Sequence, residues 1–179
     1  TSRHIHVLRL KEGNEIVLFN GTGGEYPSRI ITLDKSKASV EILSHELREV
    51  EVPYEITLAQ ALPEAGKMDW IIEKAVELGA TAIQPLAAQR SVVRLNAEKA
   101  EKRLARWQTI VSAASEQCGR NTLLKINEPL DFNAFVENST ESLRIMFTPR
   151  ANEILPVWAG KQVPQTITIM IGPEGGFSP

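Results

Sequence analysis

The 179-residue sequence predicts a mainly parallel α/β sheet covered on both faces, preceded by a small antiparallel barrel or sheet. Three observations carry this. After Pro53 strand-like and helix-like segments alternate, the pattern of a parallel sheet with crossover helices. Before Pro53 three short β runs are separated by Gly-rich or polar turns. Hydrophobic residues make up 42% and charged residues 23%, the balance of a soluble globular chain, so a disordered polymer is excluded.

His4 to Leu10 fits a helix or a strand, because its period satisfies both. Ile16 to Phe19 is the first β run, stopped by Asn20-Gly21-Thr22-Gly23-Gly24. Arg29–Leu33 and Ala38–Leu43 follow, joined across Asp34-Lys35-Ser36-Lys37. The acidic stretch from Glu46 to Glu51, closed by Pro53, marks a boundary between domains at residues 1–52 and 53–179. Ile56–Leu62 then reads as a strand. Lys67–Leu78 carries Met68, Ile71, Ile72, Ala75 and Val76 at helical spacing, and Gly79 stands where a helix C-cap belongs. Thr81–Leu86 is a strand, and Asn96 is a suitable N-cap for a long helix to Cys118. Ala100, Leu104, Trp107, Val111, Ala114 and Cys118 form its buried stripe, with Lys99, Lys102, Arg103 and Arg106 on another face. Asp131–Glu137 reads as a short helix, and Leu143–Phe147 and Thr166–Ile171 as the last strands.

Charge is uneven. Twenty basic and 22 acidic residues give −2 overall, yet Gln89 to Lys125 holds eight basic against three acidic residues. Such asymmetry is what a nucleic-acid partner selects, and equally what a solvated helix face produces. The single cysteine, Cys118, excludes an intrachain disulfide and a cysteine-based zinc cluster, and it continues an apolar stripe, which fits core better than catalysis. His4, His6 and His45 lack metal-binding spacing, so no metal is expected. No apolar run approaches the roughly 20 residues of a membrane span, and no leader-like segment opens the sequence, so a cytoplasmic, membrane-free protein is expected.

The strongest local signal is Ile167–Ile171 emptying into Gly172-Pro173-Glu174-Gly175-Gly176-Phe177-Ser178. Open α/β sheets bind ligands at the carboxyl ends of their strands, and glycines allow close backbone approach or positive φ. The loop is neither a phosphate-cradling Gly-x-x-x-x-Gly-Lys nor a Gly-x-Gly-x-x-Gly sequence, which weakens a nucleotide-phosphate reading; an ordinary strand-to-helix turn remains open. Thr148-Pro149-Arg150 ends a second strand, and Arg90, Arg120 and Asn121 add donors suited to phosphate and base contacts, or to helix ends and solubility.

These blocks resemble the ribosomal RNA small subunit methyltransferase E family, a branch of the SPOUT (trefoil-knot) methyltransferases. The matching stretches are His4–Leu10 with Gly13, Phe19-Asn20-Gly21 with Gly23–Tyr26, Ile56–Leu62, and Lys67-Met68-Asp69 through to Gly79. They continue with Gln89–Val93, Arg106-Trp107-Gln108, Glu116–Asn121 and Ile171–Ser178. The resemblance implies a PUA-like RNA-binding barrel over 1–52, incomplete at its amino terminus, and a SPOUT-type trefoil-knot methyltransferase domain over 53–179, incomplete at its carboxyl terminus and without the knot closure. It also implies a homodimer formed through the knotted domain, and S-adenosyl-L-methionine as cofactor. The implied reaction is methylation of N3 of a uridine (uridine 1498 in the family) in the 16S rRNA of the small ribosomal subunit. Family sequences carry a further barrel strand ahead of the part matched by Thr1, and a helix, a strand and a Leu-Gly-x-Arg loop past the part matched by Pro179.

By residue, the resemblance implies cofactor contacts at Thr148, Pro149, Ile171, Gly172, Pro173, Glu174, Gly175, Gly176 and Phe177. It implies RNA contacts at Arg9, Lys67, Arg90, Arg120 and Asn121. No general base is identified; Glu174 and Arg120 are the candidates for a catalytic role. The alternative is a non-catalytic RNA-binding module, a barrel with a basic α/β platform, and cofactor binding discriminates the two.

Overall fold

Residues 2–64, 66–88, 97–138, 143–148, 151–163 and 166–177 are described by the computed structural model. They fall into two units, residues 1–50 with 119–122, and residues 51–118 with 123–179.

Helix α1 (Ser2–Val7) opens the first unit, so the ambiguous His4–Leu10 segment begins as helix. It stops in a Schellman pattern: the Leu10 N–H donates to the Ile5 carbonyl at 3.1 Å and the Arg9 N–H to the His6 carbonyl at 3.0 Å. Arg9, at φ 54, takes the left-handed position that glycine usually fills. Strands β1 (Glu15–Leu18), β2 (Tyr26–Leu33) and β3 (Ala38–Ile42) form an antiparallel sheet in the order β1-β2-β3. The register sets Glu15 opposite Arg29, and their side chains pair at 2.9 Å. Ser28 and Ile30 point inward from β2 and are buried. β2 starts at Tyr26, earlier than expected from sequence, because Pro27 reads as a breaker although its carbonyl accepts the Leu43 N–H at 2.8 Å. Gly119–Thr122 completes this unit, with Thr122 bridged to Gly21 and Thr22.

The second unit is built on a six-stranded sheet. Its strands are β4 (Ile56–Ala61), β5 (Ala82–Ala87), β6 (Lys125–Ile126), β7 (Leu130–Asp131), β8 (Arg144–Met146) and β9 (Ile167–Ile171). The order is β6-β5-β4-β9-β8, with β7 also on β5, and every pairing is parallel. Pro85 explains why β6 and β7 are two short strands. The Ile83 carbonyl accepts the Asn127 N–H and the Leu86 carbonyl the Leu62 N–H, both at 2.9 Å, so successive β5 residues face opposite neighbours. Pro85 shares the orientation of Ile83 and has no N–H to offer the β6/β7 side. In that gap the Gln84 side chain donates to the Glu128 carbonyl at 2.8 Å.

Helix α2 (Lys67–Glu77) follows β4, and α3 (Ala97–Cys118) follows β5. α2 ends as expected: Gly79, at φ 86, donates to the Val76 carbonyl and Ala80 to the Ala75 carbonyl, a Schellman motif. Met68, Ile72 and Val76 of α2 pack with Trp107, Val111 and Ala114 of α3 over Leu62, Ile83 and Leu124. Cys118 packs against the same core. Asn96, the expected N-cap, lies outside the described residues. The opposite side is built by α4 (Phe132–Asn138), where Phe135 and Phe132 meet Ala59, Leu86 and Met170. The Asp131 carboxylate caps α4 by accepting from the Asn133 N–H at 2.9 Å. A short helix, α5 (Leu155–Ala159), was not foreseen; Pro156, a breaker elsewhere, is tolerated in its first turn. No helix among the described residues is long and apolar enough to cross a membrane.

Candidate functional site

The chain leaves β4 toward β5 on one side, while β9 and β8 lie on the other. The sheet therefore changes direction between β4 and β9, and a crevice outside the carboxyl ends of such strands is where open α/β sheets take ligands. Three connections meet this edge: Leu62–Glu64 after β4, Phe147–Thr148 after β8, and Gly172–Phe177 after β9.

The β9 loop is tightly specified. The Gly176 N–H donates to the Pro173 carbonyl at 2.8 Å, closing a four-residue turn, and Gly176 takes φ 69. The left-handed conformation foreseen for this glycine-rich stretch thus falls on Gly176. A Cβ on Gly172 would stand 3.3 Å from the Phe177 ring and 3.4 Å from the Gly176 Cα. The loop folds back onto its first residue, where a side chain would be packed more tightly than ordinary contact. Phe177 stacks on Phe132, with centroids 4.6 Å apart and planes inclined by 30°.

Glu174 faces the start of α2. Its Oε1 accepts from Lys67 Nζ at 2.7 Å and from the Glu64 N–H at 3.3 Å. The Lys67 ammonium, with backbone N–H groups of the loop and of Glu64, holds the Glu174 carboxyl at about 2, well below the ordinary range. The Lys67 ammonium is raised in turn, chiefly by Glu174. Beside Thr148 lies a cavity of about 570 Å³ along β8, walled by Ile145, Phe147, Ile154, Leu155 and Trp158. Phe132 and the α5 wall were missed as site residues; Asp131 as an N-cap immediately before an aromatic was the available signal for the first.

The basic residues scatter. Arg9 is exposed at the end of α1. Arg120 and Asn121 are buried, with only 5% and 4% of their surface accessible. Asn121 Nδ2 donates to the Arg48 carbonyl at 2.9 Å and to Glu25 Oε2 at 3.5 Å, and the Asn121 carbonyl accepts the Gly23 N–H at 3.2 Å. Lys67 pairs with Glu174 of the β9 loop. Arg106, on the expected basic face of α3, pairs with Asp69 of α2. Arg90 and Pro149 lie outside the described residues. His6 Nε2 sits 2.9 Å from the Asp34 carbonyl and His45 stacks on Tyr26. Among the described residues no group of His, Cys, Asp or Glu side chains is placed to hold a metal ion.

Residues 50–179 match the RNA methyltransferase domain family, and residues 1–43 match the RNA methyltransferase PUA domain. The Ribosomal RNA small subunit methyltransferase E of Synechocystis is 34% identical over 176 residues, 96% of this chain. The chain spans only 56% of that relative's length. Its Bacillus subtilis counterpart is 30% identical, with 97% of this chain and 71% of the relative aligned. The structure of Ribosomal RNA small subunit methyltransferase E from Neisseria gonorrhoeae, bound to S-adenosyl methionine, is similar with a TM-score of 0.87 at 38% identity. That similarity covers 99% of this chain and 73% of the other.

Proposed function

Because the chain belongs to the ribosomal RNA small subunit methyltransferase E family, we propose that it methylates N3 of a uridine in 16S rRNA using S-adenosyl-L-methionine. The observation that carries this reading is the Gly172–Phe177 loop, which leaves β9 at the sheet's switch point and folds back upon Gly172. Glycines there offer backbone where side chains would otherwise stand. The cavity of about 570 Å³ along β8 has the size of a small-molecule site; its wall is mostly apolar and also carries Arg144, Glu153 and the Thr148 hydroxyl. Thr148, Pro149 and the run Ile171 to Phe177 would hold the cofactor.

Bound there, the cofactor supplies an electrophilic methyl group on a sulfonium. The chain's own residues then have to orient the uracil, exclude water and stabilise the anion left when N3 loses its proton. N3 is engaged in a Watson–Crick pair, so the substrate base must lie outside a duplex. Glu174, with its carboxyl at about 2, is too weak a base to take that proton near neutral pH and fits a loop-holding role. Arg9 and Arg90 are assigned to RNA, while Asn121 acts from the interior by holding Glu25 and Arg48. The reading includes an RNA-binding barrel, a trefoil-knotted α/β unit, a cytoplasmic homodimer and the small ribosomal subunit as partner, with no metal.

Calorimetry with S-adenosyl-L-methionine, followed by nucleoside analysis of small-subunit RNA for 3-methyluridine, tests the proposal. Cofactor binding and appearance of that nucleoside are expected. Retained RNA affinity without cofactor binding would favour the non-catalytic RNA-binding module instead.

A further inference from the structure

Lys67 is the first residue of α2, behind Gly66 at φ 92, and no side chain caps that helix start. A cation is disfavoured at a helix N-terminus by the helix dipole. Lys67 is compensated there by two carboxylates, Glu174 Oε1 at 2.7 Å and Glu64 Oε2 at 3.3 Å. The same Glu174 oxygen takes the Glu64 N–H, so the β4–α2 connection and the first residue of α2 supply two donors to one loop residue, 110 and 107 positions further along the chain. With two acids around it, Lys67 presents no net positive charge to a phosphate, which argues against RNA contact.

We propose that Lys67 is a positioning residue for cofactor binding: it draws Glu174 onto the β4–α2 connection and so holds the Gly172–Phe177 loop in its receiving form. This rests on the methyltransferase reading above. The arrangement is asymmetric. Neutralising Glu174 leaves Lys67 its partner Glu64, whereas removing Lys67 leaves Glu64 and Glu174 facing each other uncompensated, and their repulsion lifts the loop.

The test uses Lys67→Ala, Lys67→Arg, Glu174→Gln and the double variant Lys67→Ala/Glu174→Gln. Four readouts are taken: S-adenosyl-L-methionine Kd, steady-state KM and kcat for the cofactor, affinity for small-subunit rRNA, and amide exchange at residues 172–177 without cofactor. Lys67→Ala is expected to raise the cofactor Kd about fivefold, the upper range for an exposed pair. Lys67→Arg stays within about twofold of the parent, and the double variant binds better than Lys67→Ala alone. KM for the cofactor rises more than kcat falls, RNA affinity holds, and exchange in the loop quickens most in Lys67→Ala and less in Glu174→Gln and the double variant. Unchanged cofactor Kd with lost RNA affinity, or no rescue by arginine, overturns the proposal. If the parent protein binds no cofactor, the methyltransferase reading and the cofactor half of this proposal fail together. The exchange measurement then still decides whether Lys67 holds the loop.

Discussion

Phe177 rests on Phe132, the residue that opens α4, with ring centroids 4.6 Å apart. The glycine loop is therefore seated at three points: at β9 where it begins, at Glu174 against α2, and at Phe177 on the cluster of Ala59, Leu86, Phe135 and Met170 that Phe132 packs against. A backbone rich in glycine is made definite by its neighbours.

Removing that stack should loosen the loop. Phe132→Ala is expected to weaken S-adenosyl-L-methionine binding by about twofold to tenfold, the equivalent of an aromatic pair worth about 0.5–1.5 kcal/mol. Phe132→Leu, which keeps apolar bulk, should lie between. Calorimetry decides, and an unchanged Kd in Phe132→Ala would show that Phe177 needs no support from α4.

The two loop glycines should fail differently. A Cβ on Gly176 meets nothing within 4 Å, so Gly176→Ala carries only the left-handed backbone penalty of about 1–2 kcal/mol. Gly172→Ala pushes its Cβ onto the Phe177 ring and the Gly176 backbone, and Gly172→Val more so. Cofactor affinity should fall in the order Gly176→Ala, Gly172→Ala, Gly172→Val, by calorimetry. Equal losses in all three would mean that the fold-back on Gly172 is immaterial.

Arg9 separates stability from function. Its φ of 54 is costly for a side-chain-bearing residue, so Arg9→Gly should stabilise the amino-terminal unit by about 1 kcal/mol. The same change should weaken rRNA binding at fixed salt. A higher unfolding temperature with lower RNA affinity is the expected pair of results; undiminished affinity would remove Arg9 from the RNA surface.

The Lys67–Glu174 pair sets a pH window. The folded Glu174 value, about 2, lies below its ordinary 4.5, so its contribution is complete above 4.5 and is lost as pH falls toward 2. Lys67 is raised above 10.5, so its contribution is complete below 10.5 and is lost at higher pH. Carboxyl-carbon NMR should place the Glu174 midpoint well below 4.5, and Lys67→Ala should return it toward that value. A midpoint near 4.5 in the parent protein would mean that the pair does not form in solution.

What the sequence disclosed, it disclosed through local pattern. The stripe from Met68 to Val76 with Gly79 behind it foretold α2 and its cap, and the run Ile167–Ile171 before Gly172 foretold β9 and its loop. The unforeseen features depend on partners distant in sequence. β6 and β7 are two residues each, held by β5 rather than by any period of their own. Pro156 and Pro27 read as breakers where one starts α5 and the other lies within β2. The pairing of Lys67 with Glu174 was not legible because that carboxylate is 107 residues away. The burial of Arg120 and Asn121 was not legible either, since nothing in their neighbourhood reveals that Asn121 binds Glu25, 96 residues earlier.

The four residues Gly119–Thr122 give the amino-terminal unit a timetable. During synthesis β1, β2 and β3 are made by residue 42, yet Asn121, which holds the Arg48 carbonyl, and Thr122, which bridges Gly21, have still to be translated. Between these moments the whole of β4, α2, β5 and α3 must be produced. The nascent unit therefore waits, incomplete, while most of a second folding nucleus emerges behind it, and its last contacts close loops of 73 and 96 residues. A gene cut at residue 50 would deliver two pieces, the first lacking its own final segment and the second carrying it without a place to put it.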